Sequence, residues 1–141
     1  MKYITGIQAL NIPCSLGTTG DWHREGISWA RPEISESTES VFGEYGIEGP
    51  KRIEKFSGEW FVANHIRACL DLIASGRFAS AAGMRKDFID DERYDGEIFK
   101  QVLKLKGSSA WPEVNSFMLR EYMLKWKRFL NGRLESETRR N

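Results

Sequence analysis

Trp60-Phe61-Val62-Ala63-Asn64-His65-Ile66-Arg67-Ala68-Cys69-Leu70-Asp71-Leu72-Ile73-Ala74-Ser75-Gly76 is the stretch on which the reading of the fold turns. From Gly58 onward the apolar residues recur with the 3.6-residue period of a helix: Trp60, Phe61, Ile66, Ala68, Cys69, Leu70, Leu72 and Ile73 give it a broad apolar face. Gly76 ends it. The spacing predicts a central buried helix, with Asn64 to Ser75 packed through Ile66, Cys69, Leu70 and Ile73.

Upstream of this stretch the pattern is strand and loop. Tyr3 to Leu10 is an apolar, β-prone run, read as the first strand. Pro13, Gly17 and Gly20 then force the chain out of it. Gly26 to Ala30 alternates and ends before Arg31-Pro32, so it reads as a second strand closing the Asn11–His23 loop at its base. Pro32 to Ser40 is polar and reads as a solvated excursion, and Ser40 to Ile47 offers at most a short strand broken by glycines. Residues 32–57 carry no decisive pattern.

Downstream the helical period continues. Phe78 to Ile89 reads as a helix weakened by Gly83, and Tyr94 to Lys106 as another. Pro112 opens a last helix in which Val114, Phe117, Met118, Tyr122, Met123, Trp126, Phe129 and Leu130 recur on one side until Gly132. The predicted architecture is α+β: a small N-terminal antiparallel sheet of two or three strands packed against three or four C-terminal helices. One domain spans 1–141, with a strand- and loop-rich part at 1–58, a helical part at 59–134 and a frayed polar tail at 135–141.

Composition narrows the function classes. The chain has 141 residues, 40% of them hydrophobic, and a net charge of +1. No apolar run approaches the roughly 20 residues of a membrane span, and so balanced a charge argues against nucleic acid as a partner. A cytoplasmic location is the expectation. Two cysteines, Cys14 and Cys69, make neither a disulfide framework nor a zinc cluster. No metal site and no cofactor are predicted.

The Asn11–His23 loop concentrates the chemistry: Asn11, Cys14, Ser15, Thr18, Thr19, Asp21, Trp22 and His23 lie in thirteen positions. Asp21 precedes His23 by two residues, so a carboxylate could orient an imidazole for general-base work with Cys14 or Ser15 as nucleophile. The structural alternative has Asp21 capping a turn, Trp22 anchoring the loop and His23 bonding a carbonyl. Gly17-Thr18-Thr19-Gly20 lacks the Lys-Ser/Thr of a phosphate loop. Asn64, His65 and Arg67 could add polar groups to a cleft, although His65, at the edge of an apolar face, is better read as a hydrogen-bonded structural residue. The acidic residues Asp87, Asp90, Asp91, Glu92 and Asp95 lack the order of a calcium loop. Basic residues Lys125, Lys127, Arg128 and Arg133 suit a helix C-terminus.

Four segments together carry a resemblance: Tyr-Ile-Thr-Gly-Ile-Gln-Ala-Leu-Asn-Ile-Pro-Cys-Ser-Leu at 3–16, Gly-Asp-Trp-His at 20–23, Val-Ala-Asn-His-Ile-Arg at 62–67 and Arg-Glu-Tyr-Met at 120–123. The chain resembles a small uncharacterised bacterial family associated with toxin–antitoxin and phage-defence neighbourhoods. The resemblance transfers no catalytic residue. It implies a partner-binding protein only. The leading reading is a protein–protein binding module, the neutralising antitoxin of a two-gene system whose partner is the product of an adjacent gene, using exposed aromatics and the Asn11–His23 loop, with Asn11, Thr18, Thr19, Trp22, His23, Asn64 and His65 as binding residues. The alternative is a small hydrolase or transferase using His23 and Asp21 with Cys14 or Ser15.

Overall fold

The computed structural model describes residues 1–21 and 27–140, with side chains up to residue 132. Its centre is the helix α2, His65–Ala74, in which His65, Ile66, Arg67, Ala68, Cys69, Leu70, Leu72 and Ile73 are all buried. Asn64 caps it, its side-chain oxygen accepting the Arg67 N–H at 2.8 Å. That bond satisfies one of the donors left free at a helix start.

A four-stranded sheet lies against α2 in the order β2-β1-β4-β3. β1 is Lys2–Ile4, β2 is Ile34–Glu36, β3 is Ile47–Ile53 and β4 is Phe56–Ala63. β1 pairs antiparallel with β2, and β3 with β4. β1 and β4 run parallel, Ile4 facing Val62. The α+β class therefore holds, with a mixed sheet in place of a purely antiparallel one. Because β1 and β4 are parallel neighbours, the chain leaves both at the same end of the sheet, which is where α2 begins.

Several local expectations change. The first strand stops at Ile4 and the chain turns at Gly6, which has a left-handed φ of 67°, into a short helix α1, Gly6–Leu10. Its Gln8, Ala9 and Leu10 are buried, so the apolar run serves a helix face, not a longer strand. The strand expected at Gly26 to Ala30 is absent over its described part, 27–30. The Gln8 side-chain amide instead holds this segment, donating to the carbonyls of Ser28 and Arg31. The true partner of β1 is Ile34–Glu36, inside the stretch read as a solvated excursion. Trp60, Phe61, Val62 and Ala63 belong to β4, so the helix starts at His65, after the Asn64 cap, and the strand-rich part extends past 58.

Beyond α2 come α3, Phe78–Ala81, a π-helical turn at Met84–Ile89, and α4, Asp95–Leu103. Gly83, left-handed at φ 90°, separates α3 from the turn and splits the helix expected at Phe78 to Ile89. The last expected helix is two: α5, Trp111–Tyr122, and α6, Leu124–Arg140, divided at Met123 with φ 53°. The aromatic contacts give the reason. The Trp111 and Trp126 rings are 6.1 Å apart, whereas fifteen residues of straight helix would separate them by about 22 Å. The chain folds back, and the Trp126 Nε1–H donates to Asn115 Oδ1 at 2.8 Å. α6 continues through Gly132 to Arg140, so the backbone of the expected frayed tail is helical up to that residue.

One buried charge ties sheet, turn and helix together. Arg67 is fully buried. Its guanidinium donates to Asp71 at 2.9 Å, to the carbonyls of Gly43 and Tyr45, and to the Tyr3 hydroxyl. Asp71 also accepts from Tyr3 and Thr5 at 2.7 and 2.6 Å. Such a charge is tolerated inside only because it is paired and its donors are used.

Candidate functional site

The segment from Asn11 to Asp21 leaves α1, loops out and returns over the N-terminus of α2. Its return is fixed by backbone bonds: Asp21 N–H to the Leu10 carbonyl and Gly20 N–H to the Phe88 carbonyl, both 2.9 Å. The Tyr94 hydroxyl donates to the Leu16 carbonyl at 3.3 Å. Gly20 is required at the crossing. Its φ is 72°, and a Cβ there would run into the Leu10 carbonyl and lie 2.8 Å from the His65 ring.

This path brings Cys14, Thr18 and His65 together. The His65 Nε2 lies 2.8 Å from the Ile12 carbonyl, which only accepts, so Nε2 carries a hydrogen and donates. In the neutral ring Nδ1 is then an acceptor, 2.6 Å from the Thr18 hydroxyl. The same hydroxyl is 3.5 Å from Cys14 Sγ. A thiol, a hydroxyl and an imidazole thus form a chain along which a proton can pass from sulfur to nitrogen, leaving Thr18 unchanged and producing a thiolate beside an imidazolium.

The electrostatics agree with that transfer. Burial raises the Cys14 thiol, but the neighbouring His65 imidazole and Thr18 hydroxyl outweigh it and bring the thiol down to about 7. For His65 burial works against the charged form, and the Cys14 sulfur, the Ile12 carbonyl and the Glu48 charge together raise it. Cys14 is half-buried, whereas Cys69 is fully buried and its thiol is pushed far up by that burial. Only Cys14 is placed to react. A cleft of about 180 Å³ opens at the Thr18–His65 end of this hydrogen-bonded chain, lined by Leu10, Ile12, Pro13, Thr18, Asp21 and His65 among others but not by Cys14.

The other expected site residues are distributed as follows. The Ser15 hydroxyl and N–H both donate to Glu48, which takes up the hydroxyl's hydrogen. Asn11 donates its side-chain amide to the Ile7 carbonyl at 2.9 Å, and Thr19 and Asp21 line the cleft. Asn64 is taken up by its capping role. Trp22 and His23 lie outside the described residues. The imidazole that meets Cys14 is His65, fifty-one positions away, a pairing that spacing along the chain does not reveal. Glu48 and Lys51 were equally invisible, since they come from β3, within the region of no decisive pattern.

Among the described residues no group of three or more His, Cys, Asp or Glu side chains is placed to hold a metal ion, and no helix is long and apolar enough to cross a membrane. No protein-family model matches the chain, and no curated protein sequence or solved structure shows significant similarity to it.

Proposed function

We propose that the Asn11–Asp21 loop is a cysteine-nucleophile site, making the protein a small acyl-transferring enzyme of the hydrolase or transferase class. The observation that carries this reading is the continuous chain from Cys14 Sγ through Thr18 Oγ1 to His65 Nδ1, with the imidazole fixed from behind by the Ile12 carbonyl. Nucleophile, base and orienting group are the three parts such chemistry requires. The Cys14 thiolate attacks the carbonyl carbon of an ester, thioester or amide. The His65 imidazolium returns a proton through Thr18 to the leaving group, which departs as the Cys14 thioester forms. Water, or another acceptor, deprotonated by His65, then attacks that thioester and releases the thiol. The base is His65 where sequence spacing suggested His23, and the nucleophile is Cys14 in preference to Ser15, whose hydroxyl is bound to Glu48.

The test is covalent trapping. Incubated with an activated acyl ester, the protein should gain one acyl mass on Cys14, with Cys14→Ser losing the adduct and His65→Gln forming it at least tenfold more slowly while still folded. Equal labelling of wild type and His65→Gln would remove the dyad from the reading.

A second reading keeps the partner-binding expectation, with the protein as the antitoxin of a two-gene defence system in the cytoplasm. Ile34 and Val41 are 43% and 58% exposed beside a groove of about 590 Å³ along the outer strand β2, and apolar groups at an open sheet edge favour a protein contact. Free thiols at Cys14 and Cys69 support a reducing compartment. Co-purification with the product of the adjacent gene tests it: no complex between the two folded proteins on size-exclusion chromatography would eliminate this reading.

A further inference from the structure

We propose that Glu48 is the positioning residue of the thiol site, gripping the loop on both sides of Cys14 through Ser15 and through the Lys51 bond to Pro13. The inference rests on the cysteine-nucleophile reading and adds to it an element from the far edge of the sheet.

The geometry is a clasp on both sides of the nucleophile. On the C-terminal side the Ser15 N–H donates to the two Glu48 carboxylate oxygens at 3.1 and 3.2 Å, and the Ser15 hydroxyl donates to the same group. On the N-terminal side Lys51 Nζ donates to the Pro13 carbonyl at 3.1 Å, and the same ammonium bonds Glu48 at 3.2 Å. Residues 13 and 15 are thus tied to one ion pair, with Cys14 between them. In a regular strand, positions three apart point to opposite faces. The register shift between Glu48 and Lys51 breaks that alternation and lets both side chains reach the loop.

The carboxylate also acts at a distance. Among the described residues, the ionisable groups gathered around this loop are His65 from α2, Glu48 and Lys51 from β3, Tyr94 through its bond to the Leu16 carbonyl, and Cys14 and Asp21 of the loop itself. Glu48 stays ionised: burial raises its carboxyl, but the Ser15 and Lys51 bonds outweigh that and lower it. Its negative charge favours the imidazolium of His65. A more basic His65 draws the Cys14 proton along the Thr18 relay, so more of the sulfur stands as thiolate at neutral pH.

The substitution Glu48→Gln removes the charge and keeps an oxygen that can accept from Ser15. In the full chain, the His65 imidazole followed by NMR should titrate about half a pH unit or more lower than in wild type, and thiolate ultraviolet absorbance at neutral pH should fall about twofold. Glu48→Ala, which also opens the clasp, should lower both further. If it does not fold, Glu48→Gln alone carries the comparison. A purely structural Glu48 would lower the melting temperature and leave both titrations in place, which overturns the proposal. Absence of neutral-pH thiolate in the wild type itself would overturn the nucleophile reading, a result distinct from a wild-type thiolate that Glu48→Gln leaves unmoved.

Discussion

At the scale of single residues, the Cys14 thiol has a defined consequence for stability. Its folded value, about 7, lies below its ordinary 9.0, so the fold favours the thiolate. The resulting stabilisation is present above the ordinary value and is lost as pH falls through about 7. His65 runs the other way: its value is raised in the fold, so its contribution is present at low pH and is lost as pH rises through the folded value. Melts of wild type and Cys14→Ser across this range should therefore diverge most on the alkaline side and converge in acid; a constant offset at all pH values would contradict a perturbed thiol. Gly20 supplies a steric test of the same site. Gly20→Ala places a Cβ against the Leu10 carbonyl and the His65 ring in a left-handed backbone, and should cost on the order of 1–3 kcal/mol in chemical denaturation. It should also slow alkylation of Cys14, because the loop that presents the thiol is displaced.

At the scale of elements, the break between α5 and α6 is the least expected feature. Met123 stands at φ 53° and ψ −127°, a region glycine tolerates and other residues do not, and its side chain is 59% exposed. The side chain contributes little packing while its Cβ carries a backbone penalty. Met123→Gly should accordingly raise stability by about 1 kcal/mol, less whatever the added freedom of the unfolded chain removes. An equal or larger loss would show that the exposed thioether packs more than its exposure suggests. Sequence periodicity could not find this break, because Tyr122 and Trp126 are spaced as neighbours on one continuous helix. The π-helical turn at Met84–Ile89 was missed differently. In the sequence Gly83 reads only as a weak point of a helix, and the fold shows that its left-handed φ ends α3 outright. The β3–β4 hairpin closes through Glu54-Lys55 between Ile53 and Phe56, without the Asn-Gly or Asp-Gly pair that announces a tight hairpin.

At the scale of the whole molecule, one core joins sheet and helices: Tyr3 and Ile4 from β1, Val62 from β4, Leu70 from α2, Phe99 from α4 and Trp126 from α6 are all buried in it. Truncation at its centre tests that unity. Leu70→Ala should cost about 2–5 kcal/mol through lost burial and a residual cavity, and Arg67→Ala about 3–5 kcal/mol by leaving the Asp71 carboxylate without its partner. Both should lower the midpoint of a single unfolding transition; two separated transitions would mean that the sheet and the helices unfold independently. What the sequence determined by itself was the α+β class, the buried helix carrying Ile66, Cys69, Leu70 and Ile73 and its stop at Gly76, and the concentration of reactive groups after Leu10, because periodicity and turn chemistry act over a few neighbouring residues. The tertiary structure alone decided that β1 and β4 run parallel, that the chain doubles back at Met123, and that Cys14 meets His65 and Glu48. Those contacts join residues tens of positions apart, and their formation depends on how whole elements pack, which no local pattern of side chains encodes.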